Sequence, residues 1–156
     1  MTVRIGRAEP GDAAVVHRVM HEAFAEYQSV LRPPSGAHRE TVADVERALS
    51  QGGGMLAWLG TDAVASARFR AESDHLYVGR VAVLPSHRRR GIASTLMMYA
   101  EEIAVEAGLA RIQVGVRMSL PGNVALYKSL GYELIAVEPH PKGPDLIGTL
   151  VKPVGD

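Results

Sequence analysis

The fold is decided by the stretch Val81-Ala82-Val83-Leu84-Pro85-Ser86-His87-Arg88-Arg89-Arg90-Gly91-Ile92-Ala93-Ser94-Thr95. An apolar strand ends at Pro85, a short basic loop follows, and a helix begins near Gly91. The first turn of a helix exposes unpaired backbone N–H groups and the positive end of the helix dipole. Gly91 lets a ligand approach the backbone, and Ala93 and Ser94 keep the first turn small. This arrangement predicts a binding site for an anionic group such as a diphosphate.

A second motif lies downstream, in Asn123-Val124-Ala125-Leu126-Tyr127-Lys128-Ser129-Leu130-Gly131-Tyr132. Together the two motifs resemble the GCN5-related N-acetyltransferase (GNAT) superfamily. The phosphate loop of that family has the pattern Gln/Arg-x-x-Gly-x-Gly/Ala, which Arg88-Arg89-Arg90-Gly91-Ile92-Ala93 matches. The family's late helix often ends in Leu-Tyr-x-x-x-Gly-Tyr/Phe, which residues 126–132 also match. The resemblance extends over essentially the whole chain.

The hydropathy pattern predicts one domain of residues 1–156 with the element order β-α-α-β-β-β-α-β-α-β-β. Predicted strands cover residues 3–8, 55–59, 63–70, 75–84, 111–116, 132–138 and 146–152, and predicted helices cover 13–27, 39–50, 91–107 and 121–131. The glycine run at 51–54 is typical of a turn. The resemblance implies an α/β (α+β) GNAT fold, with a mixed, mostly antiparallel sheet of about six to seven strands flanked by about four helices.

The resemblance also implies where acetyl-CoA binds. The cofactor-binding residues expected from it are Val81, Val83, Arg88, Arg89, Arg90, Gly91, Ile92, Ala93, Ser94 and Asn123. The backbone of the two valines would pair with the pantetheine arm as an added strand does. The amides of residues 89–94 would bind the diphosphate, and one of the three arginines would reach the 3′-phosphate. Asn123 would bind the pantetheine or line the gap between splayed strands, although it could instead cap the helix.

Tyr127 matches the tyrosine that usually serves as general acid for the departing thiolate in this family. A phenol with a pKa near ~10 can protonate a thiolate whose conjugate acid has a pKa near ~8.5 at short range. Some members carry a glutamate on the long strand as general base, whereas the corresponding position here is Tyr77. Other candidates for the base are Glu26, Glu72, Asp74 and His75, and water is a further alternative.

The acceptor pocket of the family is formed by the first two helices, the loop between them and the late strands. Tyr27 and Glu40 are therefore substrate candidates, together with Tyr77 and the loop of residues 32–36. Core packing is the alternative for Tyr27. A carboxylate favoured by the helix dipole is the alternative for Glu40.

The composition narrows the partners and the chemistry. The 17 Lys and Arg residues balance the 17 Asp and Glu residues, so the overall charge favours neither nucleic acid nor an anionic membrane. The absence of cysteine excludes disulfides, thiolate metal ligands and a cysteine nucleophile. His17 and His21 have a spacing that can hold a metal, but no third ligand completes a pattern, so no metal is expected. We find no leader or membrane-spanning segment in the sequence and expect a cytoplasmic protein.

These features predict transfer of an acetyl group from acetyl-CoA to a primary amine of a small molecule or peptide, by direct attack in a ternary complex. Three alternatives remain open: a longer acyl-CoA donor, a protein amine as acceptor, and a module that binds CoA without turnover. A homodimer is possible because many members of the family form one.

Overall fold

Seven strands form one mixed sheet in the order β1-β2-β3-β4-β5-β7-β6. This computed structural model describes residues 2–155. The strands are β1 (Arg4–Ala8), β2 (Gly53–Leu59), β3 (Asp62–Ala71), β4 (His75–Val83), β5 (Arg111–Arg117), β6 (Glu133–Pro139) and β7 (Leu146–Pro153). The helices are α1 (Ala13–Phe24), α2 (Val42–Gln51), α3 (Ile92–Glu106) and α4 (Pro121–Ser129). The predicted mixed, mostly antiparallel sheet with four helices is confirmed.

The sheet lies between two layers of helices. Helices α1 and α2 pack on one face, where Val16, Val19 and Met20 of α1 are buried against the sheet. Helix α3 packs on the other face through Leu96 and Met97, and Tyr127 of α4 belongs to the same apolar core. Side chains alternate between the two faces along each strand, so one sheet supplies both cores.

Strands β4 and β5 separate part-way along their length. They are the parallel pair of the sheet, and their pairing runs from His75 opposite Arg111 to Val78 opposite Val114. Beyond Val78, β4 carries a bulge at Arg80, whose φ of 51° is left-handed and shifts the register with β3. The second half of β4 therefore leaves β5, and a gap opens inside the sheet.

Two predicted boundaries were wrong at the second helix and the strand after it. Helix α2 begins at Val42 rather than Arg39, because Thr41 and Asp44 form a capping box there. Of the three glycines predicted as a turn, Gly53 and Gly54 belong instead to strand β2, and Gly52 caps the end of α2. A Cβ at Gly53 would lie 2.5 Å from the Phe69 ring, so the strand needs glycine for close packing.

The first helix also ends earlier than predicted. Helix α1 stops at Phe24, and Ala25–Tyr27 form a single 3-10 turn that leads into the long loop before α2. Within residues 2–155, no helix combines the length and apolar character that crossing a bilayer requires.

Candidate active site

A cleft of about 860 Å³ opens where β4 and β5 separate. It is lined by the inner edges of both strands, the start of α3, helix α4, and the loops before α2 and between β6 and β7. Of the residues predicted to bind the cofactor, all but Arg90 line this cleft, together with Tyr127, Tyr27 and Tyr77. Strand separation thus brings together segments that are far apart in the sequence.

The start of α3 forms one wall of the cleft. Arg89 and Gly91 both have left-handed backbone, with φ of 64° and 75°, so the loop turns sharply into the helix. The first helical bond is from the Thr95 N–H to the Gly91 carbonyl at 3.1 Å, which leaves the earlier N–H groups of the turn without helical partners. Among residues 2–155, no atom from elsewhere in the chain lies within 4 Å of the point where a Cβ on Gly91 would sit. This open cradle of amides fits an anionic group.

Arg88 has a structural role in this loop. Its Nε donates to the Val83 carbonyl at 3.2 Å, its Nη2 donates to the Ala23 carbonyl at 3.0 Å, and its Nη1 pairs with Glu26 at 2.5 Å. These bonds fasten the loop to β4 and to the end of α1. Arg89 and Arg90 are exposed and are therefore better placed to reach a distant phosphate.

The free edge of β4 faces the gap. The Leu84 N–H donates to the Val64 carbonyl of β3 at 2.9 Å. Because backbone groups of neighbouring residues point to opposite sides of a strand, the polar groups of Val83 and Val81 point towards β5, where β4 has no strand partner beyond Val78. This edge can accept an extended chain as an added strand.

Tyr127 lies in the cleft wall on α4 and is only 6% exposed. Its ring packs edge-to-face against Tyr132, with centroids 5.7 Å apart. Burial, with a smaller contribution from Tyr77, raises the pKa of the Tyr127 phenol well above its usual value. Among residues 2–155, no hydrogen-bond partner is found for its hydroxyl. The phenol is therefore protonated at neutral pH, on a side chain that lines the cleft.

Asn123 also lines the cleft, as the third residue of α4. The alternative that it caps this helix was wrong, because the cap position is Leu120. Pro121 occupies the first helical position, where the missing N–H has no helical partner to lose. Helix α4 therefore starts at Pro121, two residues before Asn123. The side-chain amide of Asn123 remains available to a ligand.

The predicted acceptor residues divide into two groups. Tyr27 and Tyr77 line the cleft, and the Tyr77 hydroxyl lies so close to β5 that a Cβ on Gly115 would be 3.1 Å from it. Glu40 lies outside the lining and pairs with Arg68 Nη2 at 2.8 Å and Arg80 Nε at 3.2 Å. Burial would raise the pKa of Glu40, but its bonds to these guanidiniums hold the pKa below the usual value.

None of the four candidate bases lies in the cleft lining. Glu26 pairs with Arg88, Glu72 pairs with Arg70, and Asp74 pairs with both His75 and Arg111. The part of the chain that the structure describes contributes no Asp or Glu to the lining of this cleft. A proton leaving an acceptor amine therefore has no carboxylate beside it.

Sequence reasoning missed a group of bonds, here called the clamp, that Arg117 and Asp145 form between two loops of the cleft. Arg117 Nη1 donates to the Pro33 carbonyl at 2.7 Å and pairs with Asp145 at 3.3 Å. Asp145 also accepts from the Ser119 hydroxyl at 2.7 Å, and its backbone N–H donates to the Arg32 carbonyl at 3.1 Å. The clamp joins the loop before α2 to the loop between β6 and β7. No spacing in the sequence signals it, because its acceptors include backbone carbonyls.

The two histidines with metal-like spacing contact the backbone. His17 Nε2 and His21 Nε2 lie 3.0 and 3.2 Å from the Glu40 carbonyl oxygen, and their ring centroids are 3.9 Å apart. Among residues 2–155, no group of three or more metal-ligating side chains is found.

The geometry of the cleft can be compared with known proteins. The profile of the acetyltransferase (GNAT) family matches residues 17–132. The chain belongs to the GNAT acetyltransferase family. The match includes both the start of α3 and the Tyr127 helix, so the GNAT motifs recognised in the sequence are confirmed. A search of curated proteins found no match.

Solved GNAT structures share this fold over nearly the whole chain. The PaiA N-acetyltransferase from Thermoplasma acidophilum, in complex with coenzyme A, has a TM-score of 0.80 at 14% identity, covering 96% of this chain and 98% of that one. The ribosomal-protein-S18-alanine N-acetyltransferase from Escherichia coli has a TM-score of 0.76 at 18% identity, covering 99% and 96%. YncA from Salmonella typhimurium, with its cofactor acetyl-CoA, has a TM-score of 0.75 at 15% identity, covering 100% and 96%.

Proposed function

We propose that this GNAT protein transfers an acetyl group from acetyl-CoA to a primary amine of a small molecule or peptide, in a ternary complex within one domain. The observation that carries the proposal is that the open amide cradle of α3 and the buried phenol of Tyr127 line the same cleft. The first can hold an anionic carrier, and the second can protonate a leaving group. The amide cradle and the phenol both line the cleft that opens where β4 and β5 separate.

Donor binding would depend mainly on the backbone. The N–H groups of residues 91–94 would bind the diphosphate, helped by the dipole of α3. Arg89 and Arg90 would reach the 3′-phosphate. The exposed edge of β4 at Val81 and Val83 would pair with the amides of the pantetheine arm, and Asn123 would add a side-chain hydrogen bond.

Acetyl-CoA supplies an activated acyl group whose thioester carbonyl accepts a nucleophile. In the transfer, a C–N bond forms between the neutral amine and the acetyl carbonyl carbon, and the C–S bond breaks. The amine nitrogen loses one proton, and the sulfur gains one from Tyr127, which recovers its proton from solvent. Holding the two reactants in contact supplies much of the rate, so no covalent bond to the protein is needed.

The acceptor must reach the cleft as a free amine. Deprotonating an amine with a pKa of ~10.4 at pH 7 costs about 4–5 kcal/mol. Because no carboxylate lines the cleft, we propose that water accepts this proton. The surplus positive charge at Arg80, which shares Glu40 with Arg68, destabilises an ammonium and so favours the neutral amine.

The clamp favours a small acceptor over a folded protein. Arg117 and Asp145 join the two loops at the acceptor end, and a Cβ on Gly143 would lie 2.6 Å from Pro33, which shows how closely these loops pack. A protein substrate needs a groove that continues beyond the reacting amine, whereas this rim closes one end.

The test is to incubate the purified protein with isotopically labelled acetyl-CoA and a panel of amines. Free thiol and labelled N-acetyl product are measured together. The proposal predicts that the two form in equal amounts and only when an acceptor is present. Binding of acetyl-CoA without product from any amine would contradict it and favour a non-catalytic CoA-binding module. Turnover with a longer acyl-CoA but not with acetyl-CoA would show that the longer acyl-CoA is the donor.

A further inference from the structure

We propose that the acceptor is a small amine that also carries an anionic group, a carboxylate or a phosphate, which Arg39 and Lys142 bind at the rim of the cleft. The inference rests on the proposed function and specifies its substrate class. It follows from the charges that line the acceptor end.

The lining of the cleft is one-sided in charge. Its cationic side chains are Arg39, Arg80, Arg88, Arg89, Arg117 and Lys142, and among residues 2–155 no Asp or Glu joins them. The whole chain is neutral, with 17 basic and 17 acidic residues. The cationic lining is therefore a local feature of the cleft rather than a consequence of composition. A ligand that enters meets a positive potential.

Three of these cations have counter-ions behind the cleft wall. Arg88 pairs with Glu26, Arg117 pairs with Asp145, and Arg80 shares Glu40 with Arg68. The pairs of Arg88 and Arg117 are neutral, whereas Arg80 and Arg68 share the single charge of Glu40, and all of these bonds fix the cleft walls. Within the described residues, Arg39, Arg89 and Lys142 have no ion-pair partner. Arg89 lies beside the amide cradle of α3, so its charge serves the donor end.

Arg39 and Lys142 remain for the acceptor end. Arg39 ends the 3-10 turn Gly36–Arg39, and its Nη2 lies 4.0 Å from the point where a Cβ on Gly36 would sit. Arg80 Nη2 lies 3.0 Å from the same point, so two guanidiniums approach one position of the rim. Lys142 reaches the cleft from the loop that the clamp joins to the Arg39 loop. A carboxylate or phosphate bound at this part of the lining would neutralise charge that has no ion-pair partner among residues 2–155.

Another side chain of the same loop supports an anion. The backbone N–H of Lys142 donates to His140 Nδ1 at 3.0 Å, so this nitrogen is an acceptor. In the neutral ring the proton then lies on Nε2, which makes His140 a hydrogen-bond donor towards a ligand.

With no carboxylate in the lining, a polyamine or an aminoglycoside would instead leave several ammonium groups unpaired.

Matched pairs of amines test the inference. Initial rates of thiol release would be compared for common amino acids beside their carboxamides, for phosphoethanolamine beside ethanolamine, and for spermidine as a polycation. We expect kcat/KM to be at least about tenfold higher for the anionic member of a pair. The carboxylate and phosphate pairs show which anion the site takes. Added salt should shrink the preference, because it screens exposed charges.

Three variants locate the effect. Arg39→Gln and Lys142→Gln should each reduce kcat/KM for the anionic amine by a much larger factor than for its neutral partner. Arg18→Gln is the matched control, because it removes the same charge from the exposed face of α1, where Arg18 pairs with Glu22. Equal rates for both members of every pair, or fastest turnover with spermidine, would overturn the inference and leave the proposed function standing. If acetyl-CoA binds and no amine is acetylated, both proposals fail.

Discussion

The two ends of the cleft are built in different ways. The donor end uses a continuous stretch, residues 81–95, and mostly its backbone: a free strand edge, a left-handed turn and the first N–H groups of α3. The acceptor end uses side chains from segments far apart in the sequence, including Tyr27, Arg39, Arg117 and Lys142. A backbone site tolerates many sequences provided that the turn forms. A side-chain site changes with each substitution, so relatives can share a donor while differing in acceptor.

The largest expected effect comes from Gly91→Glu at the donor end. The new carboxylate would occupy the open cradle and repel a diphosphate, so CoA binding should be lost in a calorimetric titration. The control is Gly108→Glu at the other end of α3, where φ is 73° against 75° at Gly91 and the space is equally open. Both changes carry about 1–2 kcal/mol of left-handed strain, but only the first should affect CoA. An unchanged affinity of Gly91→Glu for CoA would refute the proposal that the diphosphate binds at the start of α3.

Tyr127→Phe should have the next largest effect, on chemistry alone. Without the phenolic proton, kcat should fall by about 10²-fold, whereas CoA affinity should not change, because the ring that packs on Tyr132 is kept. Tyr132→Phe is the matched control, because it removes a hydrogen bond of 3.2 Å to Glu101 and Tyr132 is not among the residues that line the cleft. Equal kcat losses in both variants would show that Tyr127 is only structural.

A smaller effect is expected from Asp145→Asn, which weakens the clamp at the acceptor end. We expect a loss of about 1.5–3 kcal/mol in the free energy of unfolding, as for hydrogen bonds to charged groups, and a several-fold rise in KM for the amine. CoA affinity should be retained, since the donor end is built separately. Asp62→Asn on the exposed β2–β3 turn is the control. A weaker affinity for CoA with an unchanged amine KM would mean that the two ends are not separable.

The clamp should also persist at mildly acidic pH. Burial would raise the pKa of Asp145, but hydrogen bonds from Ser119, the Leu146 N–H and Arg117 hold it below the usual value. A carboxyl with a lowered pKa in the fold stabilises it above the unfolded pKa, and this contribution is lost as pH falls through the lowered value. The stability difference between wild type and Asp145→Asn should therefore be constant from about pH 5 upwards, as thermal melts can show.

The smallest effect concerns the alkaline side of the rate profile. Burial raises the pKa of Tyr127, so its acid form is lost only as pH rises through a value above ~10. The kcat of the wild type should therefore not decline between pH 7 and pH 9. A fall in kcat over this range that Tyr127→Phe abolishes would show that the pKa of Tyr127 is lowered rather than raised.

The sequence located the backbone features of the proposed donor end, but it did not signal the side-chain contacts of the proposed acceptor end. The Arg88–Ala93 loop and the Tyr127 helix lie where their motifs placed them, because a helix start and its glycine are local features. Arg88 was one of three arginines of which one was expected to reach the 3′-phosphate, and its side chain binds the Val83 and Ala23 carbonyls. Those partners are backbone atoms that carry no sequence signal.

Tertiary contacts also explain two features that local sequence patterns did not predict, namely the glycines of β2 and the location of Glu40. The glycines of β2 were predicted as a turn, since only the Phe69 ring opposite Gly53 explains why glycine is needed in the strand. Glu40 was predicted as a substrate residue, yet it lies behind the cleft between Arg68 and Arg80, which are 28 and 40 residues away in the sequence. Such pairings follow from the sheet register, which hydropathy alone does not determine.

The most direct test of this account is a crystal structure of the protein with bound CoA. The account predicts that the diphosphate contacts the N–H groups of residues 91–94, that the pantetheine arm pairs with β4 at Val81 and Val83, and that the sulfur lies beside Tyr127. CoA would leave the part of the cleft at Arg39 and Lys142 unoccupied, so that an acceptor can bind there. A diphosphate bound at Arg39 and Lys142, with the start of α3 empty, would contradict the division of the cleft into donor and acceptor ends.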